Sequence, residues 1–266
     1  MTITERLSYI KNLQNDECWY ITKHNLDFKQ LCFSAQIAEE YQNSDQTLNF
    51  EQFYNSRANN YGVTPNHRAT NNCYYVGLLL NRGGYKDAVP TEFYFQLKNS
   101  VHGDFNALDV KNELVVSQLE KVFLTNPTDR EFDGLRKDLK IHPAFFLAKV
   151  LLSIGEITGK YFISLEEFYV FIGTATEYKN HYIVTQMIIE NRKYNFKLDK
   201  TKFTNNRVHL LLDNLPYFIK RDGGISLDEP FINTLREKLV FYENSTESKL
   251  FSEEQLTNKI NLQNLY

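Results

Sequence analysis

Residues 201–227 read TKFTNNRVHLLLDNLPYFIKRDGGISL, and the order of apolar and turn residues in this stretch decides the fold. Val208, Leu211, Leu212 and Leu215 stand at i, i+3, i+4 and i+7, the spacing that lines one face of a helix. Pro216 ends that helix, since it has no N–H to donate and pushes the residue before it toward extended backbone. Two short apolar runs follow, Tyr217-Phe218-Ile219-Lys220 and Ile225-Ser226-Leu227, around Arg221-Asp222-Gly223-Gly224. Asp and Gly tolerate positive φ, so this composition predicts a β-hairpin.

A helix running straight into a hairpin with a basic tip is the end of a winged helix, and a similar order stands earlier in the chain. Thr64-Pro65 is a helix start, with a capping side chain and a proline tolerated at the first helical position. Ala69, Cys73, Val76 and Leu80 form the stripe, and Gly77 with Leu78-Leu79-Leu80 predicts passage from helix to strand. Arg82-Gly83-Gly84 supplies a turn, and the aromatic, alternating run Thr91–Leu97 predicts the returning strand. Two tandem winged helices are therefore expected.

Amphipathic or apolar helices are expected at Thr4–Leu13, Phe28–Tyr41, Asn112–Leu124, Pro143–Ile154, Asn180–Arg192 and Phe231–Phe241. A further one begins at Leu165, where Ser164 and Glu167 make a capping box. The expected class is mainly α with small β-hairpins (α+β), built as tandem winged-helix subdomains. Its expected parts are an N-terminal subdomain (1–110), a linker (111–142), a second winged helix (143–230) and a C-terminal helix with a polar tail (231–266).

With 266 residues, 42% of them hydrophobic, and 17 Tyr and 20 Phe, the chain is expected to fold into a real core rather than stay disordered. It has no apolar run of membrane-spanning length, and MTITERLSYIKNLQNDE lacks the basic-then-apolar pattern of a signal peptide. A cytoplasmic protein is expected, with no membrane partner. Cys18, Cys32 and Cys73 are too widely spaced for a zinc site or a disulfide framework, so buried thiols are expected. The net charge of −3 lacks the basic excess typical of nucleic-acid binders, yet Lys and Arg can still gather on one face.

Opposite the later stripe the helical spacing places Lys202, Asn206, His209 and Asp213, flanked by Asn205 and Arg207. Opposite the earlier one it places His67, Asn71 and Tyr74, flanked by Arg68, Asn72 and Tyr75. Asn and Arg make bidentate bonds to adenine and guanine edges, so these faces are candidate base readers. Arg57 and Asn66 complete the candidate set. Arg82, Lys86, Lys220 and Arg221 fall on the hairpins, where they would meet phosphates.

No phosphate-binding glycine loop, zinc-protease motif or nucleophile elbow is present. Three acid-x-Lys triplets, Asp109-Val110-Lys111, Asp138-Leu139-Lys140 and Glu247-Ser248-Lys249, lack the buried strand on which a metal-dependent nuclease carries its carboxylates. No catalytic residue and no metal ligand are expected within this chain.

PAFFLAKVLLSIGE with ISLEEFYVFIG, then IVTQMIIENRKYN and NNRVHLLLDNLPYFIKRDGGISL, resembles the DNA-recognition region of type IIS restriction endonucleases. PNHRATNNCYYVGLLLNRGGYKDAVPTEFYFQL is similar to that family's first winged helix. The resemblance covers residues 55–230. It implies a monomeric domain that reads an asymmetric site in double-stranded DNA, with a Mg²⁺-dependent nuclease outside this chain. The alternatives are a tandem winged-helix replication initiator or transcriptional regulator and, without DNA, a protein-interaction module built on winged helices.

Overall fold

The computed structural model describes residues 2–13, 18–21, 26–80, 88–124, 139, 141–196, 198, 203, 207–221 and 223–245. In chain order these form α1 (Ile3–Asn12), α2 (Phe28–Gln42), α3 (Phe50–Ala58), α4 (Thr70–Tyr75), β1 (Leu79–Leu80), β2 (Val89–Pro90), α5 (Glu92–Ser100) and α6 (Glu113–Glu120). Then come α7 (Pro143–Thr158), β3 (Phe162–Ser164), α8 (Leu165–Glu167), α9 (His181–Tyr194), α10 (Val208–Leu212), β4 (Phe218–Arg221), β5 (Gly224–Leu227) and α11 (Ile232–Ser245). The fold is mainly helical with two small antiparallel sheets. Among the described residues no helix is long and apolar enough to cross a membrane.

The described residues fall in two compact units. One gathers those from 26 to 122, the other those up to Ile21 together with those from Phe123 onward. The expected boundaries shift accordingly. The first 21 residues belong with 143–230 rather than with the earlier half, and α6, expected as linker, belongs to the earlier unit, where Gln118 donates to the Val76 carbonyl at 3.3 Å.

In the earlier unit α2 is the central helix, packed against α3 and α4. Phe50 and Phe53 of α3 pack edge-on against Tyr41 of α2, at ring separations of 5.2 and 5.4 Å. Cys73 Sγ reaches the Leu31 carbonyl at 3.3 Å. All three cysteines are buried and free, as their spacing predicts, and burial holds the Cys32 and Cys73 thiols protonated, well above the usual thiol range.

Residues Thr91–Leu97 correct the sequence reading, because they begin a helix and not a strand. Thr91 accepts the Tyr94 N–H at 3.1 Å, the bond of an N-cap, and its hydroxyl donates to the Gly77 carbonyl at 2.5 Å. Phe93, Tyr94 and Leu97 turn inward, which is helical and not alternating burial. The partner of β1 is instead the two-residue β2, with Leu79 opposite Pro90 and Leu80 opposite Val89. The first expected hairpin thus survives as a short antiparallel pair. Its turn residues, Arg82 to Lys86, lie outside the described residues.

In the later unit the capping box at Ser164 and Glu167 forms as expected, with bonds of 3.1 and 2.9 Å. α8 passes at once into a π-helical turn, Phe168–Ile172. The predicted hairpin of β4 and β5 also forms, and β3 joins its other side to give the order β3-β5-β4. All four residues of β5 are buried.

The N-terminal segment seals the turn after the π helix. Trp19 donates its backbone N–H to the Gly173 carbonyl and its indole N–H to that of Ala175, both at 2.7 Å. Arg6 donates to the Thr174 carbonyl at 2.6 Å and to its hydroxyl at 3.0 Å. Three successive backbone acceptors are thereby satisfied in a buried place where water cannot serve them.

Gly224 pairs with Ser164, where β5 passes close to β3. A Cβ there would run into the Ile163 carbonyl oxygen and the Phe162 ring, whereas at Gly223, with φ of +73°, it would meet open space. Gly224→Ala should therefore cost about 3 kcal/mol by overpacking, and Gly223→Ala only about 1 kcal/mol of backbone strain. Urea denaturation of the two variants should give that order.

Candidate nucleic-acid interface

The described basic groups of the later unit that face solvent around the hairpin are Arg207, Lys220 and Arg221. Arg207 is half-buried at the start of α10, close enough to Tyr169 to oppose the rise that burial imposes on that phenol. Lys220 and Arg221 are exposed on the edge strand β4. Lys220 Nζ lies 3.7 Å from an Asp213 carboxyl oxygen. Burial raises the Asp213 carboxyl above the usual carboxylate range, and Lys220 opposes that rise. Lys202, Asn205 and Asn206 lie outside the described residues.

His209 is placed differently from the expected outward face. It is 3% exposed, with its ring 5.6 Å from Phe168 and 5.4 Å from Tyr169. The reason is length. α10 has five residues and four of them, Val208, His209, Leu211 and Leu212, are covered, so no opposite face exists at position 209.

The same correction applies to α4. Asn72 and Tyr75 are buried, as is Tyr74, because this six-residue helix is packed on all sides in the core of the earlier unit and does not display one face. Of its expected readers only Asn71 is half-exposed. Asn66 caps the 3₁₀ turn of residues 67–69 by accepting the Arg68 N–H at 3.2 Å. His67 Nδ1 lies 3.8 Å from Glu51, and its ring stands edge-on to Phe50. Arg68 is exposed.

Arg57 lies over the Phe53 ring at 5.4 Å and 3.7 Å from Glu40. It lines a pocket of about 420 Å³ that the sequence reading passed over, together with Glu39, Glu40 and Lys98. The pocket's charges are matched within it: Glu39 accepts from Tyr94 and from Lys98, each at 2.6 Å, and Glu40 accepts from Tyr61. Burial, with the Glu40 carboxylate beside it, pushes the Tyr61 phenol up to about 12. The Glu39-Glu40 pair is visible in the sequence, but nothing local signals its partners on α5.

Among the described residues no three His, Cys, Asp or Glu side chains cluster as metal ligands would. Of the acid-x-Lys triplets, Asp109 accepts the Lys111 N–H at 2.9 Å and so closes its own turn instead of standing on a strand. The pairs Asp138–Lys140 and Glu247–Lys249 lie outside the described residues. No protein-family model matches the chain, and no curated protein matches it either.

Two outcomes follow from these placements. His209→Ala should destabilise the fold by about 2–3 kcal/mol and Tyr75→Ala by about 3–5 kcal/mol, as deletions of buried rings do. Both should appear in denaturation curves. Asp213 concerns pH. Its folded-state pKa is raised, so the stability linked to its protonation is present at low pH and fades as pH rises through that pKa. Asp213→Asn should remove this part of the pH dependence in melting curves recorded across the acid range.

Proposed function

We propose that the chain is a sequence-specific recognition domain for double-stranded DNA. The observation that carries this reading is the arrangement of the later unit. α7, β3, α8 and two further helices lead into an antiparallel hairpin, and β3 pairs beside β5 in the order β3-β5-β4. We read that succession of helices and strands as a winged helix, a fold that lays a helix in the major groove and a hairpin along the backbone. The exposed Lys220 and Arg221 on the hairpin are suited to phosphate contact. The net charge of −3 is compatible with this, because the cations that matter are those gathered on the contacting face.

The resemblance to type IIS restriction endonucleases supports the narrower proposal that this domain directs a nuclease. Mg²⁺ would then belong to a separate catalytic domain, and the isolated chain would bind DNA as a monomer without cutting it.

Fluorescence anisotropy of the purified chain with a labelled 30-base-pair duplex tests this. Binding should weaken steeply with salt, and Lys220→Ala or Arg221→Ala should each lower the log–log salt slope by about one unit. Binding that is absent at low salt, or a slope unchanged in both variants, would overturn the proposal.

A further inference from the structure

We infer that the outward face of α9, and not α10, reads the base pairs. This rests on the duplex-DNA reading above and assigns its specificity to residues of a helix to which the sequence reading gave no contact role.

α10 is too short and too covered to enter a groove. α9 has 14 residues, enough to span the width of a major groove, and it buries Ile183, Val184, Met187 and Ile188 on one side. Tyr182, Gln186, Ile189 and Lys193 stand at i, i+4, i+7 and i+11, one continuous stripe on the other side. Tyr182 is 64% exposed, and Gln186 and Ile189 are half-buried. Among the described residues this stripe is left exposed or half-exposed, and it combines an aromatic ring, a carboxamide, an aliphatic group and a cation. Those are the groups that stack or pack on bases, bond an adenine edge, cover a thymine methyl and reach a phosphate.

The stripe is also ordered before any ligand arrives. Gln186 donates one amide N–H to the Tyr182 hydroxyl at 2.8 Å. Among the described residues its second N–H and its carbonyl oxygen have no partner, and they are the pair that adenine N7 and N6 require. At the far end the Lys193 ammonium lies 4.6 Å from the Tyr194 ring centroid, and Tyr194 is 60% exposed. Glu190, the only acid in α9, lies at the margin of the stripe and is half-buried.

Position relative to the hairpin supplies the second line of argument. Arg192 donates to both Glu167 oxygens at 2.7 and 2.9 Å and to the Phe162 carbonyl at 2.7 Å. Glu167 caps α8, whose first residue, Leu165, donates to the Gly223 carbonyl at 2.9 Å, while Ser164 pairs with Gly224. The basic end of α9 and the hairpin tip are thus joined through one helical turn. Lys193 follows Arg192 in the chain and Arg221 pairs with Gly224 at the tip, so both basic segments border this one turn and a duplex on the hairpin would lie beside α9.

Selection of bound sequences from a random 30-base-pair pool, with wild type and variants, tests the inference. Gln186→Ala should relax preference at one or two base pairs by roughly 5- to 100-fold. Lys193→Ala should weaken all sequences alike and lower the salt slope by about one. Tyr182→Phe, which removes only the hydroxyl that holds Gln186, should relax the same positions as Gln186→Ala to a smaller degree. If wild type binds and Lys220→Ala weakens it, while the Gln186 and Lys193 variants select and bind as wild type does, the α9 assignment falls and the DNA reading stands. If wild type binds no duplex, both fall together.

Discussion

Hydrogen bonding along both edges of β5 is the constraint from which the later unit takes its form. A central strand must give every backbone N–H and C=O to a neighbour, because no water reaches it. β3 occupies one side and β4 the other, with Ile225 opposite both Ile163 and Lys220. β3 follows α7 after a glycine C-cap in left-handed conformation, so the helix direction is set by the strand it must deliver. Gly224 lets the three strands come together where any side chain would push β3 away. The exposed basic residues then fall on β4, the outer edge, where charge also discourages pairing with another sheet.

The turn between the π helix and α9 depends on residues far away in sequence. The carbonyls of Gly173, Thr174 and Ala175, which follow the π helix, are taken by Trp19 and Arg6. Trp19 also fits edge-on between Phe146 and Phe168, at ring separations of 5.6 and 5.9 Å. Arg6 is 1% exposed, and burial lowers its pKa, partly offset by Tyr9, over whose ring it lies at 4.7 Å. A guanidinium so placed keeps its charge, and its hydrogen bonds to Thr174 repay part of the desolvation. This is why α1 belongs to the later unit despite its place at the start of the chain.

Most caps and turns were legible in the sequence because their chemistry is local, although Thr64-Pro65 starts no helix: Asn66 caps the 3₁₀ turn that opens at His67. The Ser164–Glu167 box, the Asn112 cap of α6, Pro143 at the start of α7 and the Gly-Gly hairpin each act within a few residues. Thr91–Leu97 misled for the converse reason. Its Phe and Tyr favour strands, but strand preference depends on the neighbouring surface, and one capping bond with three inward residues was enough for a helix. Faces of short helices were the least legible. A stripe locates the buried side, but only packing from other elements tells whether the remaining side is open, and around Asn72, Tyr75 and His209 it is closed. Around Tyr182, which is 64% exposed, the described residues leave it open.

Glu167 serves two structures with one carboxylate. It closes the first turn of α8 and it grips Arg192, three turns along α9. Its side chain is 8% exposed, so water is a poor substitute for either partner. Tilting α9 against the sheet would therefore open a helix cap, and lifting the hairpin would pull on the same turn. α9 and the hairpin are thus tied to each other through one buried carboxylate.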